Sequence, residues 1–283
     1  MTSGPFVTFV VAVRNGRRTI ERCLESVWRQ TDPDRELIVI DAASDDGTVD
    51  YLKANSAKID FWLSEHDRGV YQAWNKALSK ARGEWICFLG ADDRLFSDDI
   101  LGKIRPVLEN RREEEIFFYG CLVNVNRKGE IIETLGQPWN EVRDLLPKIH
   151  CLPHSGAFHH RSMFDAGGFD ERFKIAGDYD LLLRELRKRQ ACFVPSLTVV
   201  AMEIGGMSSD PANSLVNLRE NRRAQRKWGT VGAFPNRPLL MAWLRVWIRI
   251  ILVRSFGIER VARWLDIGRG FMGKEPYWTR LLP

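Results

Sequence analysis

The chain has 283 residues, of which 45% are hydrophobic and 28% charged, a composition that excludes extensive disorder and is ordinary for a globular protein. This length fits one large α/β domain with an appendage, or two small domains. The net charge of +5 is unevenly distributed, because residues 217–283 sum to +10 and the remainder to −5.

Strand and helix patterns alternate through the first half of the chain. The predicted strands are Phe6–Val13, Glu36–Ile40, Asp60–Leu63 and Trp85–Leu89, and helical spacing covers Thr19–Gln30, a stretch from Gly47, and Val70–Ala81. This alternation predicts βαβ units and a mostly parallel, Rossmann-like central sheet with flanking helices. Ligands bind such sheets beyond the carboxyl ends of the strands, where Asp41 and Asp92-Asp93 fall.

The pattern changes beyond residue 115. We predict strands at Ile116–Val125, Glu130–Thr134 and Cys192–Val200, a turn at Arg127-Lys128-Gly129, and helices at Arg161–Ala166 and Asp178–Arg189. This half is expected to be α+β and to complete the acceptor side of a cleft.

The adjacent carboxylates Asp92 and Asp93 follow a buried apolar strand. Two adjacent negative charges are energetically costly unless a cation binds them. Mg²⁺ or Mn²⁺, coordinated by the two carboxylates and by phosphate oxygens, is a suitable cation. Helix capping explains the pair equally well when it is considered alone.

Three further motifs each have a functional and a structural interpretation. Asp41 could hold a base N–H or a ribose hydroxyl, while Ser44 to Asp46 could cap the next helix. Arg68 precedes a helix and could engage phosphate, with Asn75 adding a polar contact, or it could be solvated. Asp178 could deprotonate an acceptor hydroxyl or cap its helix.

The cysteines and histidines do not form a recognisable metal motif. The five cysteines are widely spread without a CxxC pair, which argues against a disulfide framework or zinc site and favours a reducing compartment. His150, His154, His159 and His160 lack metal-ligand spacing, so core or acceptor-contact roles are favoured. The apolar stretch within residues 1–13 lacks the flanks of a signal peptide, and a cytoplasmic location is expected.

Five segments, taken in order, resemble the family 2 glycosyltransferases of GT-A fold, especially bacterial polysaccharide and lipid-linked-sugar enzymes. They are Val7–Asn15, Leu37–Thr48, Glu65–Lys76, Ala81–Asp93 and Phe169–Leu181. Each motif is weak alone, but their order and spacing are specific.

The sequence departs from the family pattern at three places. Ala12-Val13-Arg14-Asn15 replaces the usual Pro-x-Tyr/Phe-Asn, Ala42-Ala43 stands where Gly or Asp is frequent, and Gly177 precedes Asp178 where Glu or Ala is common. Gln225-Arg226-Lys227-Trp228 is not the QxxRW motif of processive cellulose- and chitin-synthase relatives, which disfavours processive synthesis.

The resemblance implies an inverting transfer from a nucleoside-diphosphate sugar, with UDP as the default. It implies Asp178 as base, Mn²⁺ or Mg²⁺ at Asp93 and Asp92, and a glycan or lipid-linked acceptor in polysaccharide or glycolipid biosynthesis. The donor-binding positions would be Val11, Ala12, Asn15, Asp41, Arg68, Asn75 and Asp92. His154 and Tyr179 would lie on the acceptor side.

Two other classes of function remain as alternatives. A nucleotide-binding α/β enzyme of another type, such as a dehydrogenase, is disfavoured because no GxGxxG follows the first strand. A non-catalytic nucleotide-sugar-binding or membrane scaffold protein would not need Asp92, Asp93 and Asp178 together. No nucleic-acid partner is expected.

The sequence predicts a glycosyltransferase domain over 1–216 and a helical, basic, Trp-rich region over 217–283. Arg245 and Arg249 interrupt the apolar run 239–253, and each would cost about 2.5–3.5 kcal/mol at a bilayer centre, so spanning is disfavoured. Arg and Trp together suit an anionic membrane surface, which favours a peripheral position on the inner face of the plasma membrane. A helix that only packs on the domain is the alternative.

Overall fold

The computed structural model describes residues 4–126, 128–203, 213–232, 237–273 and 276–281, and a mixed β-sheet forms the core of this part of the chain. The nine strands of this sheet are β1 (Val7–Val13), β2 (Arg35–Asp41), β3 (Phe61–Ser64), β4 (Trp85–Gly90), β5 (Asp93–Leu95), β6 (Glu115–Val125), β7 (Ile131–Leu135), β8 (Phe158–His160) and β9 (Gln190–Glu203). They lie in the order β3-β2-β1-β4-β8-β6-β9-β5, with β7 beside β6. The β3-β2-β1-β4 part is parallel, whereas β8 is antiparallel to both β4 and β6.

Helices cover both faces of the sheet. They are α1 (Ile20–Trp28), α2 (Thr48–Ala54), α3 (Val70–Leu78), α4 (Ile100–Glu109), α5 (Trp139–Val142), α6 (Gly177–Glu185), α7 (Ser214–Lys227), α8 (Arg237–Phe256) and α9 (Ile258–Gly270). Alternate strand residues face opposite sides, so Val10 and Phe88 pack in the core with α3 and α6, while Val11 and Leu89 pack with α1 and α4. Because both faces are buried, the inner strands are continuous apolar runs.

The first-half predictions are confirmed element by element. Each predicted strand and helix up to Leu89 is present, with ends that differ by a few residues. The strands and the α6 helix predicted in the second half are also present. Arg127, part of the predicted turn, lies outside the described residues, and Gly129 in that turn has a φ of 81°.

The prediction of a helix at Arg161–Ala166 is wrong, because this segment forms only a 3₁₀ turn, Arg161–Phe164. The His160 side chain accepts a hydrogen bond from the Ser162 N–H, which starts the turn, and Gly167 with a φ of 108° follows it. The helices α4 and α5 and the short strands β5 and β8 were not predicted.

The C-terminal helices pack back on the sheet domain through α7. The predicted boundary between residues 216 and 217 falls inside α7, whose Glu220 and Lys227 bond to the segment around α6. After α9, the Tyr277 hydroxyl lies 3.3 Å from Glu133 of β7. Among the described residues, no helix combines the length and the apolar character needed to cross a bilayer.

Candidate active site

The carboxyl ends of β1, β2, β3 and β4 meet at one edge of the sheet. Register pairs Val13 of β1 with Asp41 of β2, and Asp41 with Ser64 of β3. On the other side of β1, Ala12 pairs with Gly90 at the end of β4. The structure therefore brings Asp41 and the Asp92-Asp93 pair to the same edge, as expected for parallel strands.

Asp41 is fully buried and is held by the loops around it. Its Oδ2 accepts hydrogen bonds from the Ser44 N–H at 3.0 Å and the Ser64 hydroxyl at 2.6 Å, and its Oδ1 accepts one from the Ser44 hydroxyl. A carboxylate has about four acceptor positions, so these three donors account for most of them and hold the Asp41 side chain in place.

The loops after β1 and β2 are joined by Asn15. Its side-chain oxygen accepts from the Asp45 N–H at 3.1 Å, and its own N–H donates to the Ser44 hydroxyl at 2.7 Å. Asn15 and Ala43 have φ values of 51° and 54°, in the left-handed region that Gly adopts without steric cost. Ala43 therefore adopts a backbone conformation that a Gly would adopt more easily.

Asp93 is buried at the start of β5, directly after the turn that ends β4. Its Oδ2 accepts from the Gly90 N–H at 2.8 Å and from the Ser155 hydroxyl, while its Oδ1 has no hydrogen-bond partner among the described residues. Burial and the neighbouring charge of Asp92 raise the pKa of Asp93 to about 7. Burial and the charge of Glu203 raise the pKa of Asp92.

Two arginines and a glutamate lie beside Asp92 and Asp93. Arg22 of α1 pairs with Glu203 at the end of β9, and its guanidinium lies 3.4 Å from the Asp92 carbonyl. Arg18 lies 3.5 Å from the same Glu203 carboxylate. These cations lie where an anionic ligand at Asp92-Asp93 would meet positive charge.

Asp178 lies in the first turn of α6, with Ala176 as the N-cap residue. Its Oδ1 accepts from the Tyr179 N–H at 2.8 Å and lies 3.2 Å from the Tyr71 hydroxyl. Its Oδ2 lies 3.7 Å from His150 Nε2. The carboxylate makes a local backbone bond, but it is not the N-cap, so capping does not account for its position.

One short segment connects Asp178 with Asp93. His150, at the start of residues 150–156, faces Asp178 and stacks on Tyr179 with ring centroids 5.0 Å apart. Ser155, five residues later, bonds to Asp93. The Gly156 N–H donates to the Phe88 carbonyl of β4 at 3.0 Å, which ties the segment to the central sheet.

Arg68 and Asn75 both contact Glu171 in the segment before Asp178. The exposed Arg68 guanidinium lies 2.7 Å from Glu171. Asn75 donates to Glu171 at 3.0 Å and to the Phe169 carbonyl at 2.9 Å, and accepts from the Phe169 N–H at 2.8 Å. Asn75 therefore positions this segment, and its predicted contact with the donor stays a prediction.

The side chains predicted for the acceptor side are buried. His154 stacks on Trp74 with ring centroids 4.8 Å apart, and burial lowers its pKa well below the usual range. The Tyr179 hydroxyl donates to the Leu146 carbonyl at 2.7 Å. Val11 is buried in the core and Ala12 is half-buried, so any donor contact there would use the backbone. The assignments of these four residues stay predictions.

The site also contains residues that the sequence motifs did not indicate. They are Arg22, Tyr71, Ser155 and Glu203, while His150 belongs to the histidine cluster for which a core or acceptor-contact role was predicted. The structure separates the members of that cluster: His160 pairs with Trp85 at the start of β4, whereas His150 lies beside Asp178. No spacing signal marks Ser155, because it lies in an irregular segment.

Solved structures share this fold. TarS of Staphylococcus aureus in complex with UDP-GlcNAc superposes with a TM-score of 0.64 at 15% identity, covering 89% of this chain and 73% of that one. A mannosyltransferase of Pyrobaculum calidifontis in complex with GDP-Man and Mn²⁺ gives 0.62 at 20% identity, covering 99% and 84%. The fold is that of the GT-A glycosyltransferases, which confirms the predicted fold class.

Sequence comparison gives the family. The family model described as glycosyl transferase family 2 matches residues 8–164. An uncharacterised Mycobacterium tuberculosis glycosyltransferase is 32% identical over 190 residues, covering 65% of this chain and 70% of its own length. The PGL/p-HBAD biosynthesis glycosyltransferase of Mycobacterium bovis is 28% identical over 188 residues, covering 64% and 70%. The chain belongs to glycosyl transferase family 2 and is a glycosyltransferase.

Proposed function

We propose that this glycosyltransferase moves a sugar, with inversion, from a nucleoside-diphosphate sugar to an acceptor hydroxyl with the help of a divalent cation. The observation that carries the proposal is the segment 150–156, in which Ser155 bonds to Asp93 and His150 lies 3.7 Å from Asp178. An acidic pair suited to a bound cation and a carboxylate suited to a base thus lie on either side of one short segment.

Asp93 fits a divalent cation. Its buried Oδ1 lacks a partner in the described part of the chain, and the neighbouring Asp92 adds a second carboxylate. No three acidic, His or Cys side chains converge among the described residues, so Asp93 and Asp92 would hold the ion together with donor phosphate oxygens and water. When bound, Mn²⁺ or Mg²⁺ neutralises charge on the departing diphosphate. The mannosyltransferase neighbour contains Mn²⁺.

The donor nucleotide would bind along the strand ends. Asp41 would hold the base or ribose from the end of β2, and Asn15 holds the loop beside it. Arg68 and Arg22 could contact phosphate, while Val11, Ala12 and Asn75 would line or support the pocket. UDP is our first choice because TarS was solved with UDP-GlcNAc, and GDP is the second because of the GDP-Man complex.

Asp178 would act as the general base. The acceptor oxygen forms a bond to the anomeric carbon as its proton passes to an Asp178 carboxylate oxygen. The bond between that carbon and the diphosphate oxygen breaks, and the diphosphate leaves with the electron pair. Attack opposite to the leaving group inverts the anomeric centre. Tyr71 and His150 flank the Asp178 carboxylate and would keep it aimed at the acceptor.

The acceptor would be a glycan or a lipid-linked molecule in cell-surface polysaccharide or glycolipid biosynthesis. The relatives support this choice, since one acts in PGL/p-HBAD biosynthesis and the Pasteurella multocida chondroitin synthase is 28% identical over 184 residues. That match covers 64% of this chain and 19% of the synthase. His154 and Tyr179 would support the acceptor side from beneath. We place the enzyme at the inner face of the plasma membrane.

Asp178→Asn tests the proposal after a screen of UDP- and GDP-sugars for Mn²⁺-dependent turnover. We expect turnover to fall about 10²–10⁴-fold, because general-base help is lost, while the thermal shift produced by the nucleoside diphosphate is unchanged. Asp165→Asn, the same change at an exposed site, should leave both quantities unaltered. A parallel loss of nucleotide binding, or unfolding of the variant, would instead assign Asp178 a packing role.

A further inference from the structure

Helix α8 carries apolar side chains on two opposite faces. One face packs on the protein: Trp243 lies under the Arg219 guanidinium of α7 at 5.8 Å, and Arg249 donates to the Ser214 hydroxyl at 2.9 Å. Arg249 also lies over the Trp278 ring at 5.6 Å. This packing fixes which side of α8 faces the domain.

The opposite side of α8, here termed the outer face, is apolar and exposed. Its members recur with a period of three or four residues, and each is between 45% and 57% exposed. They are Leu240, Leu244, Trp247, Ile248 and Ile251. A helix that only packs on its domain needs one apolar face, so the second one is unexplained by the fold.

Helix α9 continues this apolar surface. Its buried side includes Val261 and Ala262, whereas Trp264, Ile267 and Phe271 on the other side are exposed. Phe256 at the end of α8 is also exposed and contacts Trp264 with ring centroids 5.1 Å apart. The exposed faces of α8 and α9 therefore meet at this aromatic pair.

The surroundings of the outer face are basic. Exposed arginines stand on both helices, at positions 245, 254, 260 and 263, and one of them, Arg263, lies 4.0 Å from the exposed Glu259. The sequence contains no acidic residue between Glu220 and Glu259. The Asp266 carboxylate of α9 accepts hydrogen bonds from the backbone N–H groups of residues 277–279. It is therefore not available to neutralise the arginines at the surface.

We infer that the outer face of α8, with the exposed side of α9, docks in the interface of an anionic bilayer. Apolar and Trp side chains would enter the headgroup boundary while the flanking arginines bind lipid phosphates. A second copy of the chain fits less well, because a symmetric contact through this face would bring its arginines close to like charges. The inference rests on the proposed function only in that docking would bring the enzyme to a membrane-borne acceptor.

Vesicle sedimentation of the full-length protein tests the inference. The vesicles contain two parts phosphatidylcholine to one part phosphatidylglycerol, or phosphatidylcholine alone. We expect the protein to pellet with the anionic vesicles at low salt, and less at high salt because salt screens the arginines. Arg254→Gln with Arg260→Gln should weaken binding roughly 30-fold, about fivefold for each charge. The control pair is Lys53→Gln with Lys188→Gln, at exposed positions of the sheet domain, and it should bind like the unaltered protein.

The contribution of the apolar side chains to vesicle binding is tested with a matched pair of variants. Trp247→Ser should reduce binding to anionic vesicles, whereas Phe96→Ser, at a side chain 44% exposed against 45% for Trp247, should not. Ile251→Ser provides a second outer-face variant. Thermal unfolding and donor turnover without vesicles are measured for every variant, so a failure of the proposed transferase activity is separated from a failure of docking.

Two results would overturn the inference. One is equal pelleting by the unaltered protein and the folded outer-face variants. The other is a protein that ignores anionic vesicles but sediments as a dimer, with Trp247→Ser restoring the monomer, since the outer face would then be a protein interface.

Discussion

At the residue scale, the packing around Gly177, the residue before Asp178, leaves no room for a side chain. A Cβ at Gly177 would lie 2.8 Å from ring carbons of Tyr71, which is buried and whose hydroxyl lies 2.5 Å from the Ile175 carbonyl. Gly177→Ala should therefore displace Tyr71 and cost about 1–3 kcal/mol of unfolding free energy, as overpacking does. Chemical denaturation measures this, and turnover should fall because Tyr71 flanks Asp178.

Gly102→Ala is the matched control, because nothing lies within 4 Å of the new Cβ on helix α4. It should be neutral or stabilising by about 0.4–1 kcal/mol. If Gly177→Ala proves as harmless as Gly102→Ala, the close contact between Gly177 and Tyr71 does not constrain the site.

Some site residues could be predicted from sequence and others could not. Asp92-Asp93 was a candidate because two adjacent charges after an apolar strand need a positive partner, but helix capping explained the pair equally well and only the family resemblance favoured a metal. Ser155 and His150 reach their carboxylates from an irregular segment, where no periodicity fixes the direction of a side chain. Their roles depend on long-range strand pairing, which local sequence does not encode.

At the element scale, α7 supports the segment that leads to the predicted base. The Glu220 carboxylate accepts hydrogen bonds from the N–H groups of Lys174, Ile175 and Ala176, all at 2.8–3.0 Å. Trp228, just after α7, donates to Asp180 of α6 at 2.9 Å, and Lys227 lies 2.8 Å from the same carboxylate. These bonds fix the backbone immediately before Asp178.

Glu220→Gln tests this support. A neutral amide offers one acceptor oxygen in place of two, so we expect a loss of about 1.5–3 kcal/mol in unfolding free energy and a several-fold lower kcat. The Kd of the nucleoside diphosphate should be unchanged, because the strand ends are untouched. Glu259→Gln, the same change at an exposed site on α9, is the control. If kcat is unaltered in the Glu220→Gln variant, the bonds between α7 and residues 174–176 do not support the site.

The parallel half of the fold was predictable because its strands are long apolar runs separated by helical spacing. Strands β5 and β8 have only three residues each, too few to show a period of two. Helix α4 does show helical spacing of buried residues, Ile100, Leu101, Ile104 and Leu108, although Pro106 lies within it. Helix α4 could therefore have been predicted from the sequence pattern alone. Strands β5 and β8 could not, because they are recognisable only by their pairing with neighbouring strands.

At the scale of the whole molecule, a buried histidine makes folding depend on pH. Burial lowers the pKa of His159 to about 4, below the usual value near 6.5, so the unfolded chain binds the proton first as pH falls. Stability should therefore decrease between pH 6.5 and 4, by up to about 1.4 kcal/mol per pH unit from this group. Urea unfolding at pH 7 and pH 4.5 measures the difference.

His159→Phe, placed among Phe88, Phe117 and Phe164, should reduce this pH dependence by about 2–3 kcal/mol over that interval. His66→Gln, at an exposed histidine, should leave it nearly unchanged. An identical pH dependence in the His159 variant and the unaltered protein would show that His159 does not titrate in this way.

We propose that Asp93 holds a cation through which a nucleoside-diphosphate donor binds. Calorimetric titration of UDP and GDP, with and without Mn²⁺, tests it most directly when the unaltered protein is compared with Asp93→Asn and with the exposed control Asp98→Asn. We predict that Mn²⁺ strengthens binding of one nucleotide by more than about tenfold in the unaltered protein and in Asp98→Asn, and that Asp93→Asn loses this gain while remaining folded. An equal gain from Mn²⁺ in folded Asp93→Asn, or no gain from Mn²⁺ with either nucleotide in the unaltered protein, would contradict the account.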